Sequence, residues 1–327
     1  VSADPTRTSS DAHAHLRGAT ALVTGGAGFI GSHLADALLA AGARVRVLDD
    51  LSTGDRRSVP AGAALIEGSV SDATTVDRAV SGCSHVFHLA AMVGIAQCVH
   101  EPARHFDSNI AGTDVVLRAC GAARVASAVF TSSSAVYGLE PALPSRESDA
   151  VVAANPYAAG KAAGELLTEC FARQHAAHAV SLRLFNVFGP RQKPDGAYAA
   201  AIAAFLDAAK SRRPASLFGD GAQTRDFVPV ANVVQAFLLA SDPRRGLRGE
   251  RFNIGMGRAR SLRELLALID QISGVAVPPR VLPPRDADAP HSCADIAKAR
   301  SVLGYDPSVT MEDGLRATWN WMNARVD

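Results

Sequence analysis

One turn near the start constrains this chain more than any other feature. The apolar run Ala21-Leu22-Val23 passes through Thr24-Gly25-Gly26-Ala27-Gly28-Phe29-Ile30-Gly31 into Ser32-His33-Leu34-Ala35-Asp36-Ala37-Leu38-Leu39, where apolar residues recur at helical spacing. That order reads as strand, tight turn, helix. Glycines there let a ligand approach the backbone closely, and the unpaired N–H groups of the helix start, with the macrodipole behind them, face an anion such as a pyrophosphate. The next strand-like run, Ala43 to Leu48, ends in Asp49-Asp50, and an acid at that place can accept both hydroxyls of a ribose. The glycine spacing is G-x-x-G-x-x-G rather than G-x-G-x-x-G. Glycine turns also join ordinary strands to helices, so the reading leans on the strand, the helix and the terminal acid together. Asp49 favours NAD over NADP, whose 2′-phosphate would meet like charge, although Arg56 and Arg57 lie close by in sequence.

With 327 residues the chain can bury one large or two ordinary cores. A formal net charge of +1 without a basic block gives no reason to expect nucleic acid or an anionic membrane as partner. The cysteines Cys83, Cys98, Cys120, Cys170 and Cys293 are scattered and lack C-x-x-C spacing, as free thiols in a reducing compartment would be. No apolar run reaches membrane-span length, and Val1 to Arg17 is polar without a signal-like core. The expectation is a cytoplasmic protein with a disordered tail over residues 1–17.

Strand-like and helix-like segments then alternate, the sequence form of a parallel sheet covered on both faces. Strands are expected at Ala21–Thr24, Arg44–Asp49, Ala64–Glu67, His85–His88, Ser127–Ser132 and Val180–Leu184, and helices at Asp107–Ala123 and Pro156–His175. Right-handed crossovers make this an α/β fold, a doubly wound parallel sheet over residues 18–183. After Phe185, Gly and Pro punctuate shorter elements, among them helices at Ala199–Lys210 and Leu262–Ile272, so 184–327 reads as a smaller C-terminal α/β domain. Residues 226–256 again look like helix then strand and are expected to return to the first domain.

The sharpest reactive constellation is Tyr157-Ala158-Ala159-Gly160-Lys161 at a helix start, with Thr131-Ser132-Ser133-Ser134 at a strand end. Residues four apart share a helix face, so an ammonium at Lys161 can stabilise a phenolate at Tyr157. A hydroxyl at the strand end can hold the reacting oxygen. By itself such a Tyr/Lys pair is an ordinary solvated helix face.

Added to the glycine turn, the pattern resembles the nucleotide-sugar epimerase branch of the extended short-chain dehydrogenase/reductases. The motifs are Thr24 to Leu34, Asp49-Asp50-Leu51-Ser52-Thr53-Gly54, His88-Leu89-Ala90-Ala91, Thr131 to Gly138, Tyr157 with Lys161, Arg183 to Arg191, Gly219-Asp220-Gly221 with Thr224-Arg225-Asp226-Phe227, Phe252-Asn253-Ile254-Gly255, and Ala294 to Ala299. They span nearly the whole chain, from Ala19 to Trp321. The resemblance implies a Rossmann fold holding NAD through Gly25, Gly28, Phe29, Ile30, Gly31, Asp49, Ser52 and Gly54. It adds Ser69 and Val70 beside the adenine, and Leu89, Ala90 and Ala91 on the other side. Ser69 stands where the family usually has Asp.

For the chemistry the resemblance implies Ser133 as the catalytic hydroxyl, Tyr157 as acid/base, and Lys161 holding the nicotinamide ribose while tuning Tyr157. Asn186, Arg225 and Arg285 match positions that hold a nucleotide diphosphate, and Asp288 matches an acid that meets the ribose or orders its loop. Ser292 matches the position where a bulky aromatic restricts substrates to plain hexoses, so a small residue admits an N-acetylhexosamine. The implied reaction inverts C4 of a nucleotide-diphosphate sugar through a 4-keto intermediate, with UDP or dTDP left open. Departures from the pattern are Pro229-Val230-Ala231-Asn232, where Tyr-Val-Asp-Asp is usual, and Ala203-Ala204 for Pro-Arg. A 4,6-dehydratase or a decarboxylase would need carboxylates where Ser134 and Ala135 stand. A 4-keto-sugar reductase would use the same Ser133, Tyr157 and Lys161, and a non-catalytic NAD sensor would need none of them. The histidines show no metal-binding spacing, so no metal is expected. The same resemblance implies a homodimer through helices Asp107–Ala123 and Pro156–His175.

Overall fold

The computed structural model describes residues 13–194, 201–284 and 289–324. Seven strands form one sheet: Thr20–Thr24, Arg44–Asp49, Ala64–Glu67, His85–His88, Ser127–Ser133, His178–Leu184 and Arg248–Ile254. Across the sheet they run in the order 248–254, 178–184, 127–133, 85–88, 20–24, 44–49, 64–67. Every neighbouring pair from Ser127–Ser133 across to Ala64–Glu67 is parallel. The strand order therefore reverses between 20–24 and 85–88, and a doubly wound sheet opens its ligand crevice at the carboxyl ends of the strands flanking such a reversal. Thr24 and His88 are those two ends. Strands covered on both faces read as continuous apolar runs, and Leu22, Val23, Val47, Leu48, Val86 and Phe87 are accordingly all buried. On one face Val76, Val80, Val116, Leu117, Cys120 and Phe171 pack into a single cluster with Leu22 and Leu48.

The chain divides into two compact units. The first comprises the described parts of Val1–Ser132 with Gly160–Leu182 and Val234–Arg251. The second comprises Ser133–Ala159 and the described parts of Arg183–Val233 and Phe252–Asp327. Its own core gathers Phe188, Phe205, Leu206, Leu265, Ile269 and Leu315, with Trp319 and Trp321 packed against it. Helices Ala201–Lys210, Leu262–Ser273 and Met311–Ala324 supply that core. Leu262–Ser273 starts at a capping box, Ser261 with Glu264, and stops at the left-handed Gly274.

Two expectations need correcting. The tail proposed for Val1–Arg17 ends earlier: Ala14–Leu16 form a 3₁₀ turn with Leu16 fully buried, and His15 Nε2 lies 3.0 Å from Ser241 Oγ. The rest of that segment, 1–12, is outside the described residues. The helix expected as one α segment over Asp107–Ala123 carries a π-helical turn, Phe106–Ala111, between the α-helical segments Pro102–His105 and Gly112–Ala122. The wider turn accompanies an inward-facing Asn109, which is buried with both ends of its amide on the backbone of Met92.

Candidate active site

The first unit carries a nucleotide cradle. Gly25 takes a left-handed φ of 70°, and a Cβ added to Gly31 would stand 2.2 Å from the Gly25 carbonyl oxygen, so side chains are barred from both ends of the turn. Asp49 is buried; Oδ2 accepts the Ala27 N–H at 2.9 Å and Oδ1 the Leu51 N–H at 2.9 Å. A carboxylate has about four acceptor sites, so after bracing the glycine turn it keeps capacity for ribose hydroxyls. Burial pushes its pKa up, against the pull of those two N–H bonds. Ser52 caps Asp50 through a 2.6 Å bond, and Ser69 Oγ shares a 2.8 Å bond with Ser71. Ser69 thus offers a neutral hydroxyl where a carboxylate would be usual. Lys161 is almost completely buried, its Nζ donating to the Thr131 carbonyl at 2.8 Å and lying 5.2 Å from the Phe130 ring centre. Burial lowers its pKa to about 8.

In the second unit, Ser133 is the N-cap of a 3₁₀ turn, Ser134–Tyr137, and its Oγ accepts the Ala135 N–H at 3.2 Å. Tyr157 follows Pro156 on the first turn of helix Pro156–His175, where Asn155 Oδ1 takes the Ala158 N–H at 2.9 Å. Lys161 comes one turn later on the same helix. Asn186 pairs with Phe227 across a short parallel ladder, and its N–H donates to the Asp226 carbonyl at 3.0 Å. Arg225 Nη1 donates to the carbonyls of Thr224 and Pro290, and Ser292 N–H donates to the Thr224 carbonyl at 3.1 Å. The structure therefore ties the segments of Asn186 and Ser292 to the one segment, 224–227, that carries Arg225. Arg285 and Asp288 lie outside the described residues.

What holds that gathering of segments together is Asp226, within the Thr224-Arg225-Asp226-Phe227 motif. It is fully buried and accepts N–H bonds from Met256 at 2.7 Å, Gly257 at 3.0 Å and Ala294 at 3.1 Å. Burial raises its pKa to about 6 against the opposing pull of those bonds, so it is ionised at neutral pH. Asn232, at one of the departures from the family pattern, clamps Val309 by both its N–H and its carbonyl, at 3.1 and 2.8 Å. Tyr137, another unremarked residue, donates its hydroxyl to Asn253 at 2.6 Å beneath the Arg183 guanidinium. Only its spacing within the Thr131–Gly138 motif offered a signal.

The NAD dependent epimerase/dehydratase family model matches residues 21–255. The chain belongs to that family. The UDP-glucose 4-epimerase of Mycolicibacterium smegmatis is 39% identical to it over 304 residues, 91% of this chain and 96% of that protein. Among solved structures, the UDP-glucose 4-epimerase of Thermus thermophilus in complex with NAD aligns with a TM-score of 0.86 and 34% identity, over 94% of this chain and all of that one. The UDP-N-acetylglucosamine 4-epimerase of Methanobrevibacter ruminantium, in complex with UDP-N-acetylmuramic acid, aligns at 0.89 with 32% identity, over 94% of this chain and 99% of that one. The cofactor of this epimerase family is NAD, and the cradle fits it: close glycine backbone at a helix start, and a buried acid at the end of the second strand.

Proposed function

We propose that this enzyme inverts C4 of a UDP-hexose, interconverting the gluco and galacto epimers. The observation that carries the proposal is the combination of the nucleotide cradle with Ser133 at a strand end, Tyr157 on the first helical turn and Lys161 buried one turn on. When bound, NAD would supply the hydride acceptor for C4 and the donor for its return to the opposite face of the 4-keto sugar, so net redox change is zero. Tyr157 takes the C4 hydroxyl proton as the hydride leaves and gives it back on return. Ser133 holds that oxygen, and Lys161 places positive charge by the ribose and favours the phenolate. Gly25, Gly28, Phe29, Ile30 and Gly31 take the pyrophosphate side, Asp49, Ser52 and Gly54 the adenosine ribose, Ser69 and Val70 the adenine, and Leu89, Ala90 and Ala91 the far wall. Asn186, Arg225, Arg285 and Asp288 take the UDP, two guanidinia being suited to a diphosphate by charge and by forked hydrogen bonding. Small Ser292 leaves room for an N-acetyl group.

Incubating the purified protein with UDP-glucose, and separately with UDP-GlcNAc, without added NAD tests this directly. The galacto epimer is expected from both, resolved by NMR; no epimer from either, even with NAD supplied, overturns it. The working unit is taken to be a homodimer, since helix Pro156–His175 exposes Leu166 and the neighbouring π turn exposes Phe106, at 63% and 55%. Sedimentation of the parent protein and of Leu166→Glu checks it, the variant being expected to run as monomer. A reducing cytoplasm suits the five free thiols, and among the described residues no helix is long and apolar enough to cross a membrane.

A further inference from the structure

His88, at the end of its strand, is fully buried in a chain of hydrogen bonds whose direction the chemistry fixes. Thr113 Oγ1 stands 2.8 Å from the Asn109 carbonyl, which can only accept, so the threonine proton points there. The 3.0 Å bond between Thr113 Oγ1 and His88 Nε2 must then run from the ring N–H. Nδ1 is left as a bare acceptor, and it takes the Thr24 hydroxyl proton at 2.7 Å. The lone pairs of Thr24 Oγ1 in turn accept the N–H groups of Leu89 and Ala90, both at 3.2 Å. The Leu89 N–H is shared with the Thr24 carbonyl at 3.1 Å, and every other proton in the chain points at the one acceptor named. A second ring proton would break it, because Thr24 Oγ1 would face three N–H donors and its own proton would have nowhere to go. Burial, reinforced by the charge of Lys161, holds the imidazole neutral, with a pKa lowered to about 3.

The chain spans the topological switch point. Thr24 ends the strand that opens the glycine turn, and Ala90 lies directly over that turn, since a Cβ on Gly25 would stand 2.7 Å from Ala90 N. Asn109 closes the chain with its carbonyl, while its side chain holds Met92 by N–H and carbonyl at 2.7 and 2.9 Å. The segment 89–92 is thus fixed at both ends.

We propose that His88 is a positioning residue for the cofactor: its imidazole, bridging Thr24 and Thr113, holds the Leu89–Ala90 backbone against the glycine turn and so shapes the wall that the dinucleotide meets. The inference rests on the cofactor placement proposed above. An apolar side chain would fill the same space but leave the Thr24 hydroxyl without its acceptor, and a glutamine carries its donor and acceptor at one end and cannot span both threonines.

The test is the rate of NAD release from the purified holoenzyme, followed by exchange with labelled NAD, alongside the KM for UDP-glucose at saturating NAD. Thr24→Val and His88→Gln are expected to release NAD about tenfold faster or more, the loss of a buried bond being worth about 1–3 kcal/mol. KM should stay unchanged, and Thr24→Ser, which keeps the hydroxyl, should release NAD at the parental rate. Parental release from Thr24→Val overturns the proposal, as does a KM that rises in step with release, which would mark general loosening. Should His88→Gln fail to fold, the contrast between the valine and serine variants at Thr24 decides. A parent protein that binds no NAD at all overturns the cofactor placement itself, and this role with it.

Discussion

A tyrosine phenol titrates near 10 in water, about three units too high for a base at neutral pH. In the proposed acid/base role Tyr157 therefore depends on what surrounds it, and the resemblance assigns that help to Lys161, four residues on along the same helix. Its ammonium is buried and lowered only to about 8, so at pH 7 it still carries charge in a medium that screens charge weakly. Removing the phenol oxygen alone should isolate the proton transfer from cofactor binding. For Tyr157→Phe we expect kcat to fall by about 10²–10⁴ while the protein retains NAD, measured by epimer formation and by nucleotide content after gel filtration. Retention of full activity would remove Tyr157 from the acid/base role. Asp226 invites a second test, because three N–H groups lose their acceptor if it is truncated. Asp226→Ala is expected to raise the KM for UDP-glucose and destabilise the protein by about 3 kcal/mol or more, as checked by initial rates and urea unfolding.

Helix Pro156–His175 is fastened to strand Ser127–Ser133 at successive residues. Lys161 bonds the Thr131 carbonyl, and Ser132 donates its hydroxyl to Glu165 at 2.6 Å. Glu165 is buried and pairs with Arg251 at 3.0 Å, whose other arm reaches Glu169 at 2.7 Å. Removing one partner leaves a buried carboxylate short of its counter-charge. Arg251→Met should therefore cost about 3 kcal/mol in urea unfolding, and an unchanged midpoint would show the pair to be idle. These elements were legible before their ties were. Alternating apolar runs between Gly and Pro place Arg44–Asp49, Ala64–Glu67, His85–His88 and Pro156–His175 at their observed bounds, because each pattern is local. Glu165 and Arg251 are far apart in sequence, and a charge on a helix face looks the same whether it is solvated or buried in a pair. The π turn Phe106–Ala111 was hidden because its apolar spacing differs from that of an α-helix by one residue. In the candidate site, the glycine turn and Asp49 could be read only together, from the strand before the turn, the helix after it and the acid ending the next strand. His88 could not be read, since a histidine beside a strand reads as bland until Thr24 and Thr113 are seen on either side of its ring.

At the scale of the whole molecule, its buried histidines predict how it responds to acid. Burial lowers His15 and His85 to about 4 and His88 to about 3; the rings of His15 and His85 lie 5.7 Å apart, and nearby Asp242 only partly offsets the burial. His178 is lowered too, its Nε2 held by the Ala240 carbonyl at 2.8 Å. In the unfolded chain each of these rings takes a proton below about 6.5, whereas in the folded chain His15, His85 and His88 refuse it until about 4 or lower and His178 is shifted in the same direction. Their contribution is therefore complete above pH 6.5 and drains away as the pH falls toward 4, each fully buried ring costing up to about 1.4 kcal/mol per pH unit. Asp226 acts in the opposite sense, since its folded pKa of about 6 lets the native protein bind a proton that the unfolded chain does not yet take. Asp49, also raised by burial, acts in the same sense as Asp226, and these two carboxylates are outnumbered by the four histidines. Urea midpoints should hold steady from pH 8 to 7 and fall steadily from pH 6.5 to 4.5. Replacing His85 by Leu should make that fall shallower while leaving NAD retention unchanged, because His85 and His88 stand at opposite ends of their strand. An equally steep fall in His85→Leu would mean that the acid lability has another source.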